Sequence, residues 1–221
     1  MAARLPWSQI HTVLLDMDGT LLDLRFDNHF WRELVPRRYA ERHGLPLRQA
    51  RAEVTARTRA VEGTLNWYCL DYWTRELALD IVTLKREIEH LIAVHPHVLE
   101  FLDGLRGAGR RVLLVTNAHR QSLALKMEKT RLASHFDALV CAHDLGLVKE
   151  QPAFWPRLRE MEPFEPATTL LVDDNPTILR AARDYGIAHL VSALRPDSTS
   201  PPQVAGEFPA IHDFAELLPI G

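Results

Sequence analysis

Two carboxylates separated by one residue, Asp16 and Asp18, follow the apolar run Val13-Leu14-Leu15, and a glycine and a hydroxyl, Gly19 and Thr20, come directly after them. In an extended chain successive side chains alternate, so Asp16 and Asp18 lie on one side of the backbone with Met17 opposite. Carboxylates held that close repel unless a cation joins them, and a hard, oxygen-seeking ion such as Mg²⁺ suits the pair. A surface turn at Asp18-Gly19 with Asp16 solvated would need no cation, but so apolar a preceding run reads as a buried strand.

Three further polar sets sit in similar places. Thr116-Asn117 follows Val112–Val115, Lys149 follows Leu145–Val148, and Asp173-Asp174 follows Leu170-Leu171-Val172 and precedes Asn175-Pro176. A hydroxyl, an amide and an ammonium can all donate to phosphate oxygens. Taken singly, each set has a plainer reading. Thr116-Asn117 would cap a helix, Lys149 would be solvated, and Asp173-Asp174 would cap a helix with proline in its first turn. Their order changes that reading. Each follows an apolar run predicted to be a strand, so all converge on one edge of a parallel sheet, where such folds bind ligands.

The elements that must position these residues are legible as alternation. Strands are predicted from about residue 11 into the Asp16–Leu22 turn, and over Arg111–Thr116, Phe136–Cys141, Thr168–Asp173 and Ala188–Val191. Helices are predicted between them, over Arg120–Leu132, Ala153–Met161 and Pro176–Tyr185. A helix with Val98, Leu99, Leu102 and Leu105 on one face ends at Gly107-Ala108-Gly109. Residues 27–90 carry helical periods with almost no strand signal, broken at Gly44-Leu45-Pro46 and Gly63-Thr64. The expected fold is α/β, a doubly wound parallel Rossmann-like sheet with an inserted all-helical cap. Residues 1–22 and 95–221 would form the core and 23–94 the cap. Arg195–Gly206, rich in Pro and Ser, reads as a surface loop, and Phe214–Leu218 as a closing helix.

Composition narrows the function classes. The chain has 221 residues, with 26 Lys plus Arg against 29 Asp plus Glu, a net charge of −3. No basic field invites a nucleic-acid polymer. The arginines between Arg32 and Arg59 alternate with Glu and Ala, as on a solvated helix face. Cys69 and Cys141 are isolated, which argues against a disulfide framework or a thiolate metal site. The eleven histidines show no metal-ligand spacing. No leader and no apolar run of bilayer length is evident, so a cytoplasmic protein with no membrane partner is expected.

With these motifs in order, the chain resembles the haloacid dehalogenase-like superfamily, and within it the Mg²⁺-dependent phosphatases. The family pattern Asp-x-Asp-x-Thr, a Ser or Thr after a strand, a Lys and a paired acid falls on Asp16, Asp18 and Thr20, then Thr116, Lys149 and Asp173-Asp174. Two departures stand out: Glu150-Gln151 follows the lysine in place of the common proline, and Ile178 and Leu179 occupy positions where a further acid is usual. The resemblance implies that Asp16 attacks phosphorus, that Asp18 acts as acid and then base, and that Thr20, Thr116, Asn117 and Lys149 hold the phosphate. It implies Mg²⁺ as cofactor, held by Asp16, Asp174 and the backbone carbonyl of Asp18, with Asp173 beside them. A dehalogenase would share Asp16 but has no leaving oxygen to protonate, so Asp18 argues against it. A non-catalytic binding protein on this fold would be expected to lack one of these residues.

The strings Asp23–Trp31 and Leu65–Trp73, with Asn117-Ala118-His119 and Pro196-Asp197-Ser198, are similar to bacterial GMP/IMP nucleotidases of this superfamily. That likeness implies purine 5′-monophosphates, GMP or IMP, as the partner. Phosphoglycolate or a sugar phosphate is the alternative. Trp31, Trp67, Tyr68, Tyr72 and Trp73 would stack on the base or pack the cap. Asn66 or Asp71 would accept from purine N1–H.

Overall fold

Three apolar strands carry the molecule. In the computed structural model, which describes residues 5–221, Val13 and Leu15 of β1 (Thr12–Leu15) point into one hydrophobic layer and Leu14 into another. The chain then runs through α1 (Arg25–His29), a π-helical turn Phe30–Leu34, α2 (Val35–His43), α3 (Leu47–Ala60), α4 (Leu65–Tyr68), α5 (Leu70–Leu77) and α6 (Ile81–Glu87). It returns through α7 (Val98–Gly107), β2 (Arg111–Thr116), α8 (Arg120–Thr130), β3 (Ala138–Cys141), α9 (Ala142–Leu145) and α10 (Phe154–Met161). It closes with β4 (Thr169–Asp173), α11 (Pro176–Tyr185), β5 (His189–Ala193) and β6 (Ala210–Ile211).

The strands form one parallel sheet in the order β3-β2-β1-β4-β5-β6. The alternation seen in β1 repeats in β2, where Val112 and Leu114 face one layer and Leu113 and Val115 the other. Helices α7 and α8 cover the first layer, while α10 and α11 cover the second. The predicted α/β sheet is therefore present. Its central strand is β1, with β2 on one side and β4 on the other, which makes the carboxyl end of β1 the topological switch point.

Several expectations need correction. Leu99 is 48% exposed, and the buried face of α7 is Val98, Phe101, Leu102 and Leu105. The run Leu145–Val148 is no strand: Leu145 ends α9, Gly146 turns in the left-handed region, and Lys149 lies in the loop beyond. Two short elements, α9 and β6, carry too few residues for periodicity to reveal. The Arg195–Gly206 segment has no regular structure, but Asp197 within it is buried and accepts from Asn28 Nδ2 at 2.6 Å. That loop latches onto the start of the helical insertion, with Leu24 N donating to Pro196 O and Ser198 N to Asp23 Oδ1. Residues 1–4 of the expected core segment lie outside the described residues.

The helical insertion leaves and re-enters the sheet at one point, where Leu22 bridges Val94 and His95 N donates to Leu21 O. It packs its own apolar cluster around Phe26, Phe30, Trp73, Leu77 and Ile81, joined by Leu125 of α8. Within it, Lys85 is buried over the rings of Phe26 and Phe30, at 4.8 and 4.6 Å, and donates to Asp27 Oδ1 at 2.8 Å. Cation–π contact and a carboxylate offset part of the desolvation of the ammonium there, and burial still holds its pKa below the usual lysine range. Replacing Lys85 by Met keeps most of the packing but leaves a buried carboxylate short of a partner. We expect Lys85→Met to lower stability by about 3–5 kcal/mol, read as a shift of the urea midpoint at constant slope. A loss below about 1 kcal/mol, the worth of a surface pair, would show that the charge is solvated.

Candidate active site

At the carboxyl edge of the sheet the backbone delivers Asp16 from β1, Thr116 from β2 and Asp173 from β4. Asp16 N still donates to Val172 O at 3.0 Å, so the pleat carries one residue past the strand and turns Met17 into the core. Gly19 then adopts φ +89°, and a Cβ there would stand 2.7 Å from Asp174 Oδ2 and 2.9 Å from Leu24 Cδ1. Only glycine permits both that backbone conformation and that close approach.

Lys149 is the hub. Its Nζ donates to Asp16 Oδ1 at 2.5 Å, to Asp173 Oδ2 at 2.8 Å and to Val115 O at 3.0 Å, so all three hydrogens are engaged. Burial disfavours the ammonium, but Asp16 and Asp173 more than offset that and hold its pKa above the usual lysine range. The loop that carries it is braced by Asn117, whose Oδ1 accepts from Lys149 N and whose Nδ2 donates to Glu150 Oε2, both at 2.9 Å. Asn117 is thus a brace for that loop, with one of its two Nδ2 hydrogens committed to Glu150. Thr116 Oγ1 accepts from Ala118 N at 3.0 Å, which leaves its own hydrogen free. Tyr68 of α4 donates to Glu150 Oε1 at 3.3 Å, tying the insertion to the same loop.

One carboxylate oxygen from each of Asp16, Asp173 and Asp174 lies within 4.8 Å of the others. Three carboxylates thus face one ammonium. Burial pushes the Asp16 carboxyl up to about 6, with the Asp173 charge adding and Lys149 opposing. Asp173 is fully buried, with Oδ1 accepting from Asn175 N and Oδ2 from Lys149. Asp174 forms no ion pair among the described residues; burial, then Asp16 and Asp173, raise its pKa well above the usual carboxylate range, with Lys149 opposing. An all-oxygen donor set with surplus negative charge fits a hard divalent cation such as Mg²⁺. Ile178 and Leu179, where a further acid is usual, are core residues.

Asp18 belongs to a different network. Its Oδ1 accepts from Lys126 Nζ at 2.6 Å, and Lys126 also donates to Asp27 Oδ2 at 2.6 Å. With Lys85 on the other oxygen of Asp27, two carboxylates face two ammoniums. Burial pushes Asp18 up to about 6, Lys126 opposes and Asp27 adds. Lys126, Lys85, Asp27 and Glu150 were missing from the candidates read from the sequence. The one available signal was Lys126 itself, a lysine on the same helical face as Leu123 and Met127.

Both networks open onto a cavity of about 690 Å³ between sheet edge and insertion. Asp16, Asp18, Thr116, Asn117, Lys149, Asp173 and Asp174 all line it, so most of the sequence candidates meet in one place. Thr20 does not. It is buried with its Oγ1 unpartnered among the described residues, and it faces a separate pocket of about 260 Å³. The far wall holds Trp31, Trp67, Tyr68 and Trp73, the last fully buried in the insertion's core, while Tyr72, Asn66 and Asp71 stay outside. Arg32, Arg51 and Arg59 are solvent-exposed, as expected of a solvated face, and they also line the wall of the cavity. They come from the π-helical turn (Arg32) and from α3 (Arg51 and Arg59).

A model of haloacid dehalogenase-like hydrolases matches residues 10–186. The Escherichia coli (strain K12) protein named GMP/IMP nucleotidase YrfG is 37% identical over 219 residues, 99% of each chain. Among solved structures, a phosphatase of this family from Thermococcus onnurineus aligns with a TM-score of 0.79 at 21% identity, covering 94% of this chain and 96% of its own. L-2-haloacid dehalogenase from Xanthobacter autotrophicus aligns at 0.64 and 17%, covering 94% and 96%. A phosphatase and a dehalogenase sharing one fold means that fold alone does not choose the reaction. The family match spans every strand that carries a candidate residue, and the chain belongs to the haloacid dehalogenase-like hydrolases.

Proposed function

We propose that this hydrolase is a Mg²⁺-dependent phosphomonoesterase acting through an aspartyl phosphate, with purine 5′-monophosphates of the GMP and IMP type as substrates. The observation that carries the reading is the separation of two carboxylates one residue apart. Asp16 sits with Lys149 and the surplus acids, and Asp18 with a charge-balanced lysine pair. Adjacent carboxylates in different environments suit different chemical roles.

In the proposed reaction Asp16 attacks phosphorus while Asp18 gives its proton to the departing alkoxide, leaving phosphoryl on Asp16. Asp18, now a carboxylate, takes a proton from water as that water attacks the same phosphorus, and phosphate leaves with Asp16 restored. Lys149 fixes the Asp16 carboxylate through its Oδ1, and Thr116 keeps a hydroxyl hydrogen for a phosphate oxygen. Asp16 and Asp174, with Asp173 held beside them by Lys149, would hold Mg²⁺, whose charge offsets that of the phosphate. Residues 23–94 act as a cap that encloses the leaving group.

Substrate choice follows from the wall of the cavity. A volume of about 690 Å³ suits a nucleotide-sized ligand, and stacking on Trp31 or Trp67 contributes roughly 1–3 kcal/mol per base. Stacking accepts any base. Arg32 and Arg59 form no ion pair among the described residues, whereas Arg51 is held by Glu33. A guanidinium reads O6 and N7 of a 6-oxopurine, the edge where adenine presents an amine donor instead. The likeness to YrfG over nearly the full chain supports the same substrate class.

Three outcomes test the reading. Asp16→Asn should abolish turnover with the circular dichroism unchanged, and Asp18→Asn should slow it about 10²–10⁴-fold; substantial turnover by purified Asp16→Asn removes the nucleophile. Mg²⁺ at a hundredfold excess over its Kd should raise stability by about 2–3 kcal/mol, visible as a higher Tm. Asp174→Ala should abolish that gain, and chelation should silence the enzyme. Finally, kcat/KM for GMP and IMP should exceed that for AMP by about tenfold or more, the worth of one bidentate contact. Arg32→Met or Arg59→Met should erode that ratio while sparing a small aryl phosphate. Higher kcat/KM for phosphoglycolate or a hexose phosphate would transfer the assignment to those substrates.

A further inference from the structure

Away from the oxygen-rich centre, three residues of different chemistry converge from two parts of the chain. Cys69 and Asp71 flank Leu70 where α4 gives way to α5, and His119 stands between β2 and α8. One ligand atom from each lies within 4.8 Å of the other two, and His119 Nε2 is 3.6 Å from Asp71 Oδ2. A second imidazole, His143 of α9, packs edge-on against His119 with ring centroids 5.0 Å apart, and its buried Nε2 has no hydrogen-bond partner among the described residues. Thiol, imidazole and carboxylate together are the donors of borderline transition ions, whereas Asp16, Asp173 and Asp174 offer only hard oxygens.

We propose that Cys69, Asp71 and His119 form a second metal site, for a borderline divalent ion such as Zn²⁺, which when filled pins the helical insertion to the sheet edge beside the cavity. On binding, the Cys69 thiol releases its proton to solvent and becomes the thiolate ligand. His119 coordinates through Nε2, its ring proton moving to Nδ1 at the expense of the long 3.4 Å contact with Gln121 N. Burial holds the pKa of His119 below the usual range, so the ring needs no deprotonation at neutral pH. Asp71 is exposed and His119 lines the cavity, so the site is reachable from solvent and lies at the cavity rim. A bond network across that rim restricts the opening on which substrate exchange depends.

Cobalt reports the site without recourse to catalysis, because a thiolate ligand to Co²⁺ gives a charge-transfer absorption that oxygen ligands do not. The test is a Co²⁺ titration of the full-length protein with millimolar Mg²⁺ present. The expected result is a charge-transfer band saturating at one Co²⁺ per chain and displaced by Zn²⁺. Cys69→Ser is a mild variant, since Cys69 caps α5 by accepting from Tyr72 N and serine is a favoured residue there. It should abolish the band, and Asp71→Asn should weaken Co²⁺ binding about tenfold or more. Asp174→Ala should leave the band intact. No band in the wild type, or a band that survives in Cys69→Ser, overturns the site. The pinning is read separately, with an aryl phosphate and saturating Mg²⁺. Zn²⁺ should inhibit the wild type, and Cys69→Ser should need about tenfold more for the same inhibition; equal sensitivity overturns the pinning. The cobalt band stands or falls independently of the proposed phosphatase reaction.

Discussion

An ammonium buried between two carboxylates, with a third carboxylate left over, is the constraint on which the rest of this molecule turns. Lys149 is fully buried and holds Asp16 and Asp173 at once. Buried charge is tolerated only when its partners are well placed, because desolvation costs several kcal/mol per ion. The surroundings are arranged to keep those partners in place. Asn117 grips the backbone of Lys149, Glu150 grips Asn117, and Tyr68 from the helical insertion grips Glu150. Gly19 makes room for Asp174 where any side chain would collide with it.

The second buried network shows what a balanced arrangement looks like. Asp18 and Asp27 face Lys126 and Lys85, two charges of each sign, over the rings of Phe26 and Phe30. Such a set connects α8 to α1 and α6 and at the same time holds Asp18 at the cavity. The set around Asp16 is not balanced, and unbalanced buried charge is a mark of a functional site. The contrast lies inside one molecule, a few residues apart in sequence, so it does not depend on comparing different folds.

The helical insertion has two relations to the sheet. Through Lys126 and Lys85, and through the Asp23, Asn28 and Asp197 contacts, it is joined at its base. Through Tyr68, Cys69 and Asp71 it meets the loops after β2 and β3 across the cavity. The first contacts are buried and fix the insertion's origin; the second are more exposed and sit at the rim of the cavity. Elements at the low-stability end of a fold are the ones free to gate access.

The sequence alone determined the sheet and the chemistry of its edge. Hydrophobic runs of four to six residues ending in Asp16, Thr116 and Asp173 carry local information, because strand burial and side-chain alternation are written into neighbouring residues. Order along the chain then sufficed to bring them together. Lys149 was found by type and position in the motif, although no strand precedes it. What only the tertiary structure decided were partnerships across long sequence separations. Lys126 pairs with Asp18 from 108 residues away and Lys149 with Asp16 from 133. Asn117 braces the Lys149 loop as well as lining the cavity, Thr20 faces a separate pocket, and the exposed Arg32, Arg51 and Arg59 line the cavity wall. Cys69, Asp71 and His119 have no spacing that marks them as neighbours. Periodicity tells which residues are buried, but the identity of a buried charge's partner depends on how elements pack, and nothing local encodes that.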